Sequence, residues 1–165
     1  TDLRYASDNN FTGQVIYDFS DACLRYGTVR KLAAAQKTLE EAGYSLLIWD
    51  AFRPVSAQFR LWEICPDPAY VANPEKGFSS HSRGNTVDVT LVTADGQPVD
   101  MPTDFDDFTA LADRDYSDVE AAAAANVRLL ESAMTAAGFR PYSAEWWHFS
   151  DIQSYPVDEQ FIPLS

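Results

Sequence analysis

Positive charge is scarce in this sequence. Its 12 lysines and arginines face 25 aspartates and glutamates, which gives a formal net charge of −13 at pH 7. Nucleic acids and anionic membrane surfaces are polyanions, and a chain of this charge is repelled by both. We therefore expect neither as a partner. A small charged substrate, held by local groups, stays compatible with the overall charge.

Long apolar runs and clustered cysteines are also missing. No run approaches the roughly 18 residues that a membrane-spanning helix needs, and no leader pattern is visible. A cytoplasmic protein is therefore expected, with a periplasmic or exported one as the alternative. Cys23 and Cys65 are isolated and form no Cys-x-x-Cys motif. They predict two buried thiols, with a disulfide as the alternative in an exported protein.

The 165 residues predict one domain over residues 1–165, and the 46% of apolar residues are enough for a sizeable core. Residues 1–20 read as irregular, with Tyr5 and Tyr17 as packing or pocket-lining residues. Apolar periodicity predicts helices over 28–42, 55–64 and 118–137, and strands over 44–49, 87–92 and 145–150. Thr28 is the predicted N-cap of the first helix, while Gly43 and Gly138 are predicted helix ends.

The chain has only two histidines, and each lies beside a predicted strand and an acidic residue. His81 precedes Asp88 by seven residues, and Glu145 precedes His148 by three. In the strand 87–92, Asp88 points away from the apolar face, and a buried, isolated carboxylate costs several kcal/mol unless it is paired or bound to a metal. Two imidazoles and one carboxylate would leave a fourth position for water, as in a catalytic zinc site. The ordinary alternative, a packed or capping histidine, stays open on spacing alone.

Pairing of the strands 87–92 and 146–150 would bring His148 and Asp88 to one face of the sheet. A period of two then places Trp146 and Ser150 on the face of His148. Glu145 lies three residues from His148 and would fall on the opposite face. We therefore expect Glu145 at the bend before the strand, aimed back at the metal-bound water as a general base.

Arg53 lies at the mouth of a predicted buried strand and is followed by a proline. It is well placed to reach a site, with a surface salt bridge as the equal alternative. The acidic stretch 98–117 is expected to be mostly solvated, with one or two carboxylates able to face an ammonium group.

These motifs resemble a known family. Ser80-His81-Ser82-Arg83-Gly84, Asp88 and Glu145-Trp146-Trp147-His148 together resemble the zinc D,D-peptidases, and most closely the VanX-type D-alanyl-D-alanine dipeptidases. Further segments match the family in the same order, so the resemblance covers nearly the whole chain. They are Tyr5-Ala6, Asn10-Phe11-Thr12-Gly13, Asp50-Ala51-Phe52-Arg53-Pro54 and Phe105-Asp106.

The resemblance implies a fold and a set of roles. The fold is a single α+β domain in which a central antiparallel sheet is flanked by helices, as in D,D-peptidases and hedgehog-like domains. One zinc ion would be bound by His81, Asp88 and His148. Glu145 would be the general base, and Arg53 would stabilise the oxyanion. The free ammonium group of a small D,D-dipeptide would be surrounded by Ser79, Asp106 and Tyr5.

The sequence departs from the family in two places. The segment between Arg53 and His81 is shorter than in the vancomycin-resistance members, and Pro102 follows Met101 where glycine is usual. Two alternatives to a dipeptidase are a D,D-carboxypeptidase that acts on longer cell-wall peptides and a non-catalytic zinc-binding module of the same fold.

Overall fold

A four-stranded antiparallel sheet organises the chain. A computed structural model describes residues 1–68 and 70–164. Its strands are β1 (Tyr44–Asp50), β2 (Thr86–Thr93), β3 (Phe139–Tyr142) and β4 (Glu145–Asp151), in the spatial order β1-β2-β4-β3. Three helices accompany the sheet, which confirms the predicted α+β fold.

The helices lie close to their predicted positions. They are α1 (Tyr26–Glu41), α2 (Val55–Ile64) and α3 (Ala121–Ala136). Short 3-10 turns cover Arg4–Ala6, Ser80–Arg83 and Ala110–Ala112. The glycines predicted to end α1 and α3 both have a positive φ, 84° at Gly43 and 95° at Gly138, as is typical just after a helix.

Thr28 is not the N-cap of α1, so that prediction is wrong. The helix begins at Tyr26, and Thr28 lies buried in its first turn, where its hydroxyl donates to Asp151 Oδ2 at 2.9 Å. Lys31 pairs with the same carboxylate from the next turn. A buried carboxylate is unfavourable without such partners. Within the first turn of the helix, Thr28 is able to donate this hydrogen bond.

Both edges of the sheet differ from expectation. β3, which contains Pro141, is not among the predicted strands. Proline is tolerated on an edge strand, where its missing N–H faces away from the sheet. β1 forms the opposite edge, so residues 44–48 are only partly buried, and the fully buried strand expected there is limited to Trp49 and Asp50.

The two faces of β2 serve different purposes. Val87, Val89 and Leu91 point into a hydrophobic core with α1 and α3, as the alternation predicted. Asp88 is buried and pairs with side chains on the opposite side of the strand. There the N-terminal segment and α2 form a second apolar cluster, in which Tyr5 and Tyr17 are both buried.

The two cysteines are free thiols. Cys23 and Cys65 are each only partly buried, so the expectation of buried thiols is wrong in that respect, and the alternative disulfide is not formed. Among residues 1–68 and 70–164, no helix is both long and apolar enough to cross a bilayer.

Candidate active site

The three predicted metal ligands meet on one side of the sheet. Asp88 on β2 and His148 on β4 are direct partners across the antiparallel pair. His81 approaches from the turn Ser80–Arg83. One ligand atom from each of the three side chains lies within 4.8 Å of the other two. The expected pairing of these strands is therefore confirmed, and it places a carboxylate between two imidazoles.

The imidazole of His81 is held in one tautomer. Its Nδ1 lies 2.8 Å from the carbonyl oxygen of Ala51. A carbonyl can only accept a hydrogen bond, so Nδ1 carries a proton, and in the neutral imidazole Nε2 presents the lone pair. Nε2 lies 3.4 Å from Asp88 Oδ2. This arrangement is the usual one for a histidine ligand whose other ring nitrogen is fixed by a carbonyl.

His148 faces the same point through its other nitrogen. Its Nδ1 lies 3.0 Å from Asp88 Oδ1 and 3.5 Å from Glu145 Oε2. Its Nε2 lies 3.5 Å from Ser80 Oγ. The ligand atoms that the geometry offers are therefore Nε2 of His81, Nδ1 of His148 and a carboxylate oxygen of Asp88.

The Asp88 carboxylate fits a bound cation. Its Oδ1 atom is buried and accepts no hydrogen bond from any described residue, despite the nearby imidazole. Burial opposes the ionisation of Asp88, but the imidazoles of His81 and His148 outweigh it and lower its pKa well below the usual value. Burial likewise lowers the pKa of His81, while the Asp88 and Asp50 carboxylates raise it above its ordinary value. The site therefore favours positive charge between these groups, which a divalent metal would supply.

The turn that carries His81 is fixed from several sides. Gly84 ends it with a φ of 68°, a left-handed conformation that glycine adopts without strain. Arg25 donates from its main chain to the Gly84 carbonyl at 2.7 Å and from Nε to the Arg83 carbonyl at 3.0 Å. Asp158, in the C-terminal segment, donates its N–H to the Ser82 carbonyl at 3.1 Å. The position of His81 therefore depends on two distant parts of the chain.

Glu145 is the first residue of β4, and a break in the strand's alternation turns it toward the predicted metal ligands. The pairing of β3 with β4 shifts register between Pro141 and Tyr142. As a result, Trp147 lines the cavity beside His148, whereas Trp146 packs against Trp49. The expectation that Trp146 shares the face of His148 is therefore wrong.

The carboxyl group of Glu145 is half-buried near the ligands. Burial raises the pKa of Glu145, and the Asp88 carboxylate raises it further. Together these effects exceed the lowering by the imidazoles of His148 and His81 and by Arg53. A raised pKa makes a glutamate a better proton acceptor, as general-base catalysis requires.

Arg53 belongs to a buried network and is not a surface salt bridge. Its Nε and Nη2 atoms lie 3.2 and 2.6 Å from Asp50 Oδ2, and its Nη1 donates to Gln58 Oε1 at 2.8 Å. Tyr17 donates to the other oxygen of Asp50 at 2.7 Å. The bonds from Arg53 to Asp50 and Gln58 use three of the five N–H groups of its guanidinium. The remaining two, one on each terminal nitrogen, are available to a ligand in the cavity that Arg53 lines.

Asp106 and Tyr5 form another part of the same cavity. Tyr5 donates to Asp106 Oδ2 at 2.8 Å, and its ring lies 5.0 Å from the guanidinium carbon of Arg53. Burial raises the pKa of Asp106 to about 8, more than its hydrogen bond from Tyr5 lowers it. Among the described residues of the 98–117 stretch, Asp106 is the carboxylate that lines this cavity.

The cavity has a volume of about 450 Å³, within the usual range for small-molecule sites. The segment between α2 and the His81 turn, although short, contributes Tyr70, Val71 and Phe78 to its wall. Ser79 also lines it and accepts a hydrogen bond from the His81 N–H at 3.3 Å. The structure thus places every predicted site residue at one cavity.

The whole described chain matches one family. Residues 1–164 match the family model described as D-ala-D-ala dipeptidase, peptidase M15. The chain belongs to this family. The resemblance inferred from the motifs is thereby confirmed, and the family is one of metallopeptidases.

Curated relatives in this family support the match. A D-alanyl-D-alanine dipeptidase of Escherichia coli K12 is 39% identical over 158 residues, which cover 94% of this chain and 81% of the relative. An Enterococcus faecalis protein of the same name is 35% identical, covering 94% of this chain and 87% of the relative. One from Streptomyces coelicolor is 36% identical, covering 90% and 84%.

A solved structure shares the fold. The LD-carboxypeptidase LdcB superimposes with a TM-score of 0.53 at 17% identity, covering 87% of this chain and 65% of that chain. At this identity the likeness supports the dipeptidase family's fold alone.

Several residues around the site escaped the sequence analysis. Asp50 and Gln58 hold Arg53, yet one ends a strand and the other lies within a helix, where their patterns indicate nothing special. One pattern could have indicated Asp50: it ends an apolar strand and lies three residues before Arg53, close enough for the two side chains to pair. Arg114 holds the backbone around Glu145 and was hidden within an acidic stretch.

The pKa of Asp106 predicts a pH dependence of stability in the metal-free protein. An aspartate in the unfolded chain titrates near 4, while Asp106 in the folded chain keeps its proton up to about pH 8. Between these values the folded state binds more protons, so the stabilisation present below pH 4 is lost as pH rises to 8. The slope for one such group is at most about 1.4 kcal/mol per pH unit.

The variant Asp106→Asn isolates this contribution. Asparagine tolerates the positive φ of 56° at this position but does not titrate. We expect the stability of the wild type relative to the variant, measured by urea unfolding of metal-free protein, to fall from pH 5 to pH 8. A difference that stays constant or rises over this range would contradict the assignment.

Proposed function

We propose that this protein is a zinc-dependent dipeptidase that hydrolyses D-Ala-D-Ala to two D-alanines. The single observation that carries the proposal is the convergence of His81, Asp88 and His148 next to Glu145 at one cavity. Membership in the D-ala-D-ala dipeptidase family and the names of its curated relatives support this choice of substrate.

Zinc suits the proposed ligand set. Two imidazole nitrogens and one carboxylate oxygen, with the fourth position open, are typical of catalytic zinc sites. A zinc ion held there would acidify a water ligand and polarise the carbonyl of the bond to be cut.

Glu145 is the proposed general base. Its Oε2 lies 3.5 Å from His148 Nδ1, so its carboxylate would lie close to a metal held by the ligand set and to a water bound to that metal. It accepts a proton from the attacking water and transfers that proton to the nitrogen of the leaving D-alanine. Water thus supplies the hydroxyl of the new carboxyl group and the hydrogen of the new amine.

Arg53 is the proposed partner of the oxygen that becomes negative when water adds to the carbonyl. Burial lowers the pKa of Arg53, but Asp50 raises it more, so the guanidinium stays charged. Its two free N–H groups can donate to the developing oxyanion. Because Asp50 and Gln58 already hold the group in place, no reorganisation is needed during the reaction.

Asp106, Tyr5 and Ser79 are the proposed site for the substrate's ammonium group. An ammonium that approaches Asp106 favours its ionised form and so lowers its pKa from about 8. Binding below pH 8 would then be accompanied by proton release. A carboxylate buried at this position favours a free dipeptide over the longer peptides that a D,D-carboxypeptidase cuts, because in those peptides the nitrogen is an uncharged amide.

Replacing Glu145 tests whether the centre is catalytic. We expect Glu145→Gln to keep its fold and one zinc ion per chain but to lose about 100- to 10,000-fold in kcat, since it removes the proton acceptor. The measurement is D-alanine release together with metal analysis of the same samples. Glu63→Gln, on the exposed side of α2, is the control and should retain full activity. Unchanged turnover in Glu145→Gln would reject the base assignment, and an inactive wild type that binds zinc would favour a non-catalytic module.

Blocking the substrate's amine tests the ammonium site. We expect D-Ala-D-Ala to be cleaved much faster than N-acetyl-D-Ala-D-Ala, because the acetyl group removes the charge that pairs with Asp106. Asp106→Asn should reduce this preference by slowing cleavage of the free dipeptide. The comparison uses kcat/KM for both substrates with both proteins. Equal cleavage of the two substrates by the wild type would instead indicate a carboxypeptidase.

A further inference from the structure

Arg114 contacts the backbone of the hairpin between β3 and β4 at four points. Its side chain donates to the carbonyl oxygens of Tyr142 at 2.7 Å, Glu145 at 3.0 Å and His148 at 3.0 Å. Its own N–H donates to the Ser143 carbonyl at 3.3 Å. A single residue thus binds the segment that carries both the proposed base and one proposed metal ligand.

This segment needs support because regular strand pairing ends within it. The pairing of β4 with β2 runs from Ser150 to His148 and stops there. On the other side, β3 pairs with Glu145 only after the register shift. The carbonyls of Glu145 and His148, three residues apart, are both held by one terminal nitrogen of Arg114. The guanidinium therefore connects the two ends of the irregular segment that turns Glu145 toward His148.

The guanidinium is itself held rigidly. Glu131 on α3 accepts from its Nη1 at 2.9 Å, and the Tyr116 hydroxyl lies 3.3 Å from the same nitrogen. The ring of Phe149 lies 4.6 Å from its central carbon, and only 11% of the side chain is exposed. A group fixed in this way transmits the position of α3 to the hairpin.

We propose that Arg114 is a positioning residue that fixes the carboxylate of Glu145 relative to the metal ligands by clamping the backbone between residues 142 and 148. The proposal rests on the proposed function of Glu145. His148 is also held by its pairing with Asp88 on β2, whereas Glu145 lies beyond that pairing and has the register-shifted contact with Tyr142 and the bond from Arg114. Loss of the clamp should therefore reduce the rate of the chemical step more than the binding of zinc or substrate.

Arg114→Lys and Arg114→Ala test the proposal in the zinc-loaded protein with D-Ala-D-Ala. Lysine keeps the charge, but a point ammonium cannot reproduce the planar fork of donors. We expect kcat to fall about 10- to 100-fold in both variants, because small displacements of a catalytic group have effects of this size. KM should change less than about threefold, because the substitutions leave the proposed substrate-binding side chains unchanged. Zinc content should remain one per chain.

A matched control and a rescue separate positioning from general stability. Arg128 lies on α3, and its guanidinium stacks on the ring of Tyr116. Arg128→Ala should leave kcat unchanged. Adding millimolar guanidinium, well below the molar concentrations that unfold proteins, should restore part of the kcat of Arg114→Ala and leave Arg114→Lys unaffected.

Two results would overturn the proposal while the wild type is active. One is unchanged kcat in both Arg114 variants. The other is a parallel loss of kcat, zinc and folded structure, by circular dichroism, that guanidinium does not reverse. An inactive zinc-loaded wild type would refute the proposed dipeptidase function itself, which distinguishes the two failures.

Discussion

The buried carboxylate of Asp88 is the constraint on which the rest of the structure depends. A carboxylate inside a central strand is unfavourable unless positive charge or hydrogen bonds compensate for its burial. Here one oxygen has no hydrogen-bond donor among the described residues, and the nearest groups are two imidazoles. Strand pairing supplies His148 directly opposite, and the turn after Ser79 supplies His81. A cation bound between these groups would offset the cost of burying this carboxylate, and the proposed chemistry needs a cation at the same place.

Hydrogen-bond donors and a titratable carboxyl group lie on different sides of the cavity. Arg53 presents two unused donors on one side, and Asp106 presents its carboxyl group on another. Tyr5 contacts both, since its hydroxyl binds Asp106 and its ring packs against the guanidinium of Arg53. The same buried residue therefore holds the Asp106 carboxyl group and the Arg53 guanidinium in place and apart. Behind Arg53, the carboxylate of Asp50 also lies 3.5 Å from His81 Nδ1, so it contacts both Arg53 and one of the proposed metal ligands.

Much of this arrangement could be predicted from the sequence. The alternation of Val87, Asp88 and Val89 specified which side chain leaves the core, and the scarcity of histidine left few ways to build a metal site. The family resemblance then added Arg53 and Asp106, which periodicity alone does not distinguish from ordinary surface charges. These successes share one cause: they rest on local patterns or on motifs whose spacing is tied to chemistry.

The features that the sequence did not reveal depend on contacts between distant segments. Thr28 resembles a helix cap, but the buried carboxylate that it binds lies on β4. The break at Trp146 and Trp147 cannot be seen from alternation, because both tryptophans are buried and either could face the core. β3 is short, lies at an edge and contains a proline. Arg114 binds a hairpin about 30 residues away, and no local pattern indicates that partner.

The most direct test of the account is an anomalous-difference map at the zinc edge from crystals of the zinc-loaded protein. The account predicts one strong peak at about 2.0–2.2 Å, the usual zinc distance, from His81 Nε2, His148 Nδ1 and an oxygen of Asp88. A peak that lacks any one of these three contacts, or zinc-loaded crystals with no peak between them, would contradict it.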